Sequence, residues 1–403
     1  MSLILTDDCN RESRTLVWSQ RNIQNFIYNS CLYEFEDLVG EFEQGNVVSP
    51  QQYDFLGKAI KKLVKSQTKQ FPFLTKINPY RQTISLEREY DVFFTILDFS
   101  WNLSSINLLN NWRKNSKFAV CYLIELWRKD IPQLKNFLQF FDNFDLICLG
   151  HGEIVDEVQE IIQRPCIYLA PGVDTVKFYP DLNRDRSIDL INVGRRSAVT
   201  HEALLELAEQ SDFFYFYDYI SGAGIRNNQH QSHRTFIANK LKNSRYFITN
   251  HAKINQPEQT QGQIEIGYRF FEGAAAGSVL LGCPPNNQVF KDYFNWENAV
   301  IPIAFDEPNI AEIIAKLDAQ PELLQQIRIN NVVNSLRKHD WVYRWEQVLT
   351  ELGLPTTDEM EERKIYLQQL AQACLCNAEE TKAVSQNLNI SSSISQLLST
   401  VAT

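Results

Sequence analysis

Two continuous apolar runs, YDVFFTILDF (Tyr90 to Phe99) and FAVCYLIELW (Phe118 to Trp127), constrain this chain more than any other feature. Both are rich in β-branched and aromatic residues, and neither alternates polar with apolar positions in the way of a half-exposed strand. Strands covered on both faces read this way, and such strands belong to parallel sheets flanked by helices. The alternation then continues through IPQLKNFLQFFDN, a helical pattern, the strand DLICLG, the helical HGEIVDEVQEIIQ and the strand CIYLA. Strand and helix recurring at this spacing predict a doubly wound parallel sheet.

Upstream, Thr15 to Ser19 has strand character, IQNFIYNSCLYEFEDLV is helical, and Gly57 to Thr68 reads as a basic helix with Ile60, Leu63 and Val64 on one face. A second cycle begins after Pro180 and the polar linker Asp181 to Ser187. It runs through DLINVG, a helix from Thr200 to Gln210, FFYFYDYI, a helix around FIANKLKNS, the strand RYFITN, the helix YRFFEGAAAG, SVLLGC and AVIPI. At roughly 150 residues per domain, 403 residues hold two such units. The expected fold class is α/β with two doubly wound, Rossmann-like domains. An N-terminal domain spans 1–180, a C-terminal domain 181–353, and a helix with an Asn/Ser-rich polar tail 354–403.

Lys and Arg number 39 against 49 Asp and Glu, a formal charge of −10, which disfavours broad adhesion to nucleic acid. Any phosphate is expected in a local pocket. The eight cysteines show no Cys-x-x-Cys pair and no zinc-ligand spacing; Cys374-Leu-Cys376 lies in the terminal segment, and free thiols are expected. His230 and His233 lack further ligands, so no metal site is predicted. The first residues hold no secretory apolar region, and no window reaches the ~18 apolar residues of a membrane span. A cytoplasmic protein is expected, with the membrane surface as a second location if its substrate is a lipid.

Neither half carries Gly-x-Gly-x-x-Gly after its first strand, and no Gly-x-x-x-x-Gly-Lys-[Ser/Thr] occurs, which removes dehydrogenases and P-loop NTPases. Chemistry is expected at the carboxyl ends of the second domain's strands. Asp189 to Gly194 runs into Arg195 and Arg196, with a helix starting near Thr200. A flexible glycine and two permanent cations at a strand end suit a diphosphate, while a solvated Arg pair capping a loop reads the same way. Further on, Gly267 turns a polar loop into a helix whose Ala274, Ala275 and Ala276 allow close packing, and a helix start is a site for anions. Glu272 lies among bulky apolar residues and needs partners: either the hydroxyls of a ribose, or Arg269 in an i,i+3 ion pair.

Pro171-Gly-Val-Asp174 followed by Phe178 and Pro180, then Asn192-Val-Gly-Arg195, then Gly267-x-x-x-x-Glu272-x-x-Ala275-x-Gly277, with His339-Asp-Trp341 and Trp345 near the end, resemble the ordered landmarks of group 1, family 4-like glycosyltransferases of the GT-B fold. The landmarks extend over about 145–353, and the first 140 residues match only in β/α pattern. The resemblance implies a donor nucleotide sugar in the C-terminal domain, an acceptor on the N-terminal one, reaction in the cleft between, and retention of anomeric configuration. It implies that Glu272 holds the ribose, that Gly194 and Arg195 meet the diphosphate with Arg196 as a second cation, and that backbone N–H groups of Gly267, Tyr268 and Arg269 contact phosphate or sugar. The family's first glutamate falls on Ile264, with Glu265 beside it as the available carboxylate, and the family's lysine after Gly-Arg has no counterpart.

No Asp-x-Asp occurs, so the metal-dependent single-domain architecture is not expected, and cations with a helix dipole must meet the departing diphosphate instead. His151, after DLICLG, is a candidate general base or sugar contact, and Glu125 and Asp98, at the ends of the two apolar strands, are rival bases. The expected function is thus a metal-independent transferase using a UDP-, GDP- or ADP-sugar, with no tightly bound cofactor and with a glycan, lipid or small molecule as acceptor. A catalytically silent GT-B relative and a sugar-nucleotide epimerase are the alternatives. A base is expected to stack near Asp218 to Ser221.

Overall fold

The computed structural model describes residues 13–376 apart from 25, 68–70, 81–82, 99 and 219–228. Cys9, the chain from residue 219 to Ser221 and the polar tail after 376 lie outside the described residues. The first apolar run forms β3 (Tyr90–Leu97) and the second β4 (Ser116–Leu123), paired in parallel from Tyr90 opposite Ser116 to Leu97 opposite Leu123. They are the central strands of a sheet completed by β1 (Thr15–Trp18), β2 (Asn46–Val48), β5 (Leu146–Leu149) and β6 (Cys166–Tyr168), in the order β2-β1-β3-β4-β5-β6. Every pairing is parallel, so both faces need cover, and two separate apolar clusters supply it.

The second cycle builds a five-stranded parallel sheet of β7 (Ile188–Asn192), β8 (Tyr215–Tyr217), β9 (Ser244–Asn250), β10 (Val279–Cys283) and β11 (Ile301–Pro302), in the order β11-β10-β9-β7-β8. It too is covered on both faces. The aromatic run at 213–217 supplies only a three-residue edge strand. The stretch read as helical from Ile131 onward is mostly 3-10 turns over Arg128–Phe137, followed by one α-turn at Leu138–Phe141. Pro132 lies inside it, lacks an N–H and clashes with the preceding turn.

After the second sheet the chain crosses back. The helix Trp341–Glu351, at the end of the stretch read as the C-terminal domain, packs on the first sheet. The Trp341 ring stacks on Phe35 at 4.4 Å and the Trp345 ring lies 5.0 Å from Phe94. Arg344 donates to the carbonyls of Ala170 and Pro171, and the Trp345 indole donates to Glu43 Oε1 at 2.7 Å. A further helix over 358–376 completes the same cluster with Met360, Leu367 and Cys374. Trp341 also explains Gly172, where a Cβ would stand 2.6 Å from the indole ring. The crossover holds the carboxyl ends of the two sheets opposite one another.

Candidate active site

A cleft of about 300 Å³ opens where those ends meet. The loops after β4 and β5 contribute Glu125, Trp127 and His151, and those after β7 and β9 contribute Arg195 and Lys253. Gly267, Tyr268 and Arg269 complete the lining at the start of the helix Tyr268–Ala275. Gly267 is the N-cap and no side chain bonds to that end, so its amides and the positive end of its dipole face the cleft. This is where α/β folds place ligands, beyond the carboxyl ends of the strands.

Gly194 adopts φ +94°, which only glycine takes without strain, and the turn delivers Arg195 into the cleft, with Nη1 3.4 Å from Asn255 Oδ1. Arg196 goes elsewhere: Asp218, past the end of the neighbouring strand β8, takes its guanidinium at 2.6 Å and also accepts from the Gly194 N–H at 3.0 Å. The expected cation pair is therefore split, and Arg196 is absent from the lining. Besides Arg269, whose guanidinium is paired with Glu272, the cleft holds a further cation, Lys253, which the sequence did not single out. It sits at φ +53°, with Nζ 2.5 Å from Glu125 Oε1 and 4.6 Å from the centre of the Trp127 ring. The available signal was a lysine just beyond the strand RYFITN, at a carboxyl end. Burial pushes the Glu125 carboxyl up, but its bond to Lys253 outweighs this and leaves it below its ordinary range.

His151 lines the cleft, its ring edge-to-face with Trp127 at 4.6 Å between ring centres. Its Nδ1 lies 2.7 Å from the Leu126 carbonyl, which only accepts, and 3.2 Å from the Gln263 amide nitrogen; donation from Nδ1 to that carbonyl is the tautomer in which a neutral ring presents Nε2 as an acceptor. Glu265 does not line the cleft. It is 1% exposed and accepts from the backbone N–H groups of Gly152 at 3.0 Å and Glu153 at 3.3 Å, both in the first domain. Gln263 beside it accepts from Arg128 N at 2.7 Å. The loop expected to touch sugar is, at these two residues, a seam between domains. Burial raises the Glu265 carboxyl, against a smaller lowering by His151 and the hydrogen bonds.

Glu272 is likewise engaged within the protein. Both its oxygens are taken, one by Arg234 of the helix His230–Lys242 and the other by Arg269 at 2.6 Å, and it lies outside the lining. The i,i+3 ion pair is present, and it is half of a larger array. Arg234, 2% exposed, also binds Glu34 of the first domain's helix Ser30–Phe42 at 2.9 Å. Burial pushes Glu272 up, yet Arg269 and Arg234 prevail and hold it at about 2. Asp98 is buried at the end of β3, with Asn29 Nδ2 3.4 Å from its Oδ2, and is not part of the cleft lining. Of the candidate residues, Gly194, Arg195, Gly267, Tyr268, Arg269, Glu125 and His151 come together; Arg196, Glu265, Glu272 and Asp98 do not. Among the described residues no group of three or more His, Cys, Asp or Glu is placed to hold a metal ion.

Two Rossmann-like domains facing a cleft, with a terminal helix returning to the first, define the GT-B class. Residues 195–350 match the family model described as glycosyl transferase-like, which agrees with the resemblance carried by the motifs. Fold and match thus agree on a two-domain, glycosyltransferase-like enzyme. No curated protein matches the sequence. Similar solved structures include Anabaena HepE in complex with UDP-glucose, at 9% identity over 84% of this chain and 99% of that one, TM-score 0.49. Sucrose-phosphate synthase from Thermosynechococcus elongatus is at 10% identity over 84% and 99%, TM-score 0.49. A glycosyltransferase from Rickettsia africae is at 11% identity over 85% and 98%, TM-score 0.43. No described helix is long and apolar enough to cross a membrane.

Proposed function

We propose that the chain transfers a sugar from a nucleoside diphosphate donor to an acceptor hydroxyl in this cleft, without an essential metal and with retention of configuration. The observation that carries this reading is the convergence of Arg195, Lys253 and the uncapped start of the helix Tyr268–Ala275 on one wall of the cleft. In the reaction the bond between the anomeric carbon and the diphosphate oxygen breaks, the acceptor oxygen bonds to that carbon, and the acceptor proton leaves. Two cations and a helix dipole aimed at the departing diphosphate stabilise the charge that develops there, in a site whose low dielectric strengthens the effect.

His151 Nε2 accepts a hydrogen bond from the sugar or takes the acceptor proton. Glu125 holds Lys253 until the diphosphate competes for it. The base of the nucleotide is uracil, guanine or adenine, and the acceptor approaches over the first domain. The test is calorimetric titration with UDP, GDP and ADP of the intact protein and of Arg195→Ala and Lys253→Ala. At least one nucleotide binds the intact protein, and each substitution weakens it at least tenfold; equal affinity of all three proteins for every nucleotide overturns the assignment.

The engagement of Glu265 and Glu272 in structural contacts favours a second reading, a nucleotide-sugar-binding protein without turnover. Loss of donor sugar in the presence of mixed acceptors, or its absence, separates the two. Epimerisation, which needs carboxylates around the sugar ring, has little support, since Glu125 is the one carboxylate among the described lining residues.

A further inference from the structure

Between Phe55 and Leu86 the sequence holds seven Lys and Arg and no Asp or Glu, in a chain whose formal charge is −10. The helix Phe55–Gln67 within it is fastened to the protein along one strip, where Gly57 and Val64, seven residues apart, are buried. A surface helix needs only one apolar strip, yet this one carries a second. Phe55, Ala59 and Leu63 recur at i, i+4 and i+8 with Leu56 beside them, and all four face solvent, Phe55 at 85% exposure. Lys58 and Lys62 flank this outer strip and are likewise exposed. Phe71 and Phe73, just beyond the helix, are exposed as well, their rings 6.0 Å apart. Five of the twelve exposed large apolar side chains among the described residues thus fall within nineteen residues.

From this we infer that the helix Phe55–Gln67 and residues 71–76 form a docking surface for an anionic lipid bilayer. Bulky apolar groups flanked by lysines are what an interfacial helix presents, the rings and leucines entering the acyl boundary while ammonium groups meet lipid phosphates. Charge complementarity selects this occupant: a locally cationic face on an acidic protein is repelled by most acidic surfaces except where this face points. Its place in the fold adds a consequence. The segment leaves the carboxyl end of the edge strand β2, and Pro72–Lys76 packs on Ser100–Leu108 and Arg128–Phe137, which lead away from the carboxyl ends of β3 and β4. The patch is therefore on the same end of the first sheet as the cleft, and docking brings the acceptor side of the cleft to the bilayer.

Flotation of the full chain with vesicles tests this without any donor, so its outcome is independent of the transferase reading. The protein floats with phosphatidylcholine vesicles containing phosphatidylglycerol and stays behind with phosphatidylcholine alone. Binding is lost in about 1 M salt, where the screening length falls to ~3 Å. Lys58→Gln with Lys62→Gln lowers the partition coefficient on the order of thirtyfold, and Phe55→Ser, Leu63→Ser and Phe73→Ser together lower it at least tenfold. Both variants keep the wild-type melting temperature, since the substituted side chains are exposed. The inference is overturned if the wild type does not float with anionic vesicles, or if the variants float as well as it does. It is overturned equally if the serine variant merely converts a dimer to a monomer, or if the lysines govern retention of RNA while vesicles are ignored.

Discussion

Arg234 shows how much a single side chain carries here. Its guanidinium is buried between Glu34 of one domain and Glu272 of the other, and Lys177 Nζ adds a contact to Glu34 at 3.2 Å. Removing Arg234 leaves Glu34 with Lys177 and Glu272 with Arg269 as their remaining cations, and each buried carboxylate loses a charged partner in low dielectric, a larger loss than the array's own net stabilisation. Arg234→Met is therefore expected to destabilise the fold by about 3–5 kcal/mol, read from urea unfolding. Adding Glu34→Gln and Glu272→Gln is expected to recover part of that loss; a triple variant less stable than the single one refutes the account.

At this scale the sequence was only partly readable. Gly194 and Arg195 were visible because a glycine and a cation at a strand end have a local meaning. Lys253 was not, because its importance comes from Glu125 and Trp127 across the cleft. Glu272 was legible as an acid needing a partner, but not as the partner of an arginine 38 residues away.

Elements were easier to read than contacts. The central strands follow from composition, since a run apolar on both faces has one stable place in an α/β fold. The extent of helix after Trp127 was harder, because Pro132 and the adjoining turns override the apolar periodicity. Among the contacts that fasten the terminal helices to the first domain, one is especially tight, Gly172 against Trp341. Gly172→Ala pushes a methyl group into the indole, and overpacking of this kind is expected to cost about 1–3 kcal/mol. A drop in melting temperature, with nucleotide affinity unchanged at a temperature where the variant is folded, is the expected result. An unchanged melting temperature would show that the crossover yields at this point.

For the whole molecule, two histidines, His339 buried and His233 half-buried, contribute to the response to acid. Burial, with Arg344 nearby, holds His339 at about 3, and burial with Arg269 and Arg234 holds His233 at about 4. Both folded values are depressed below the ordinary 6.5, so these groups contribute stability above about pH 6.5 that is lost as pH falls through their folded values. Burial pushes Asp37 up, but His230 and Arg21 outweigh it and hold it at about 2, like Glu272, so these carboxylates begin to weaken the fold only below about pH 4.5. The urea midpoint is accordingly expected to fall between pH 7 and pH 5, before the carboxylates matter, and His233→Gln is expected to lessen that slope. A flat profile over this interval would refute it.

The length and the repeated strand–helix alternation were enough to specify two parallel α/β units, because covering both faces of a strand leaves its mark on neighbouring residues in the chain. The landmarks from Pro171 to Gly277 further implied a diphosphate-binding cleft. Which side chains enter that cleft depended on residues far apart in the chain. Arg196 is drawn off by Asp218, Glu265 turns to the backbone at Gly152, Glu272 is occupied by Arg234, and Lys253 faces inward against Glu125. Such pairings depend on which elements the fold brings within hydrogen-bond distance, and local sequence carries no record of that.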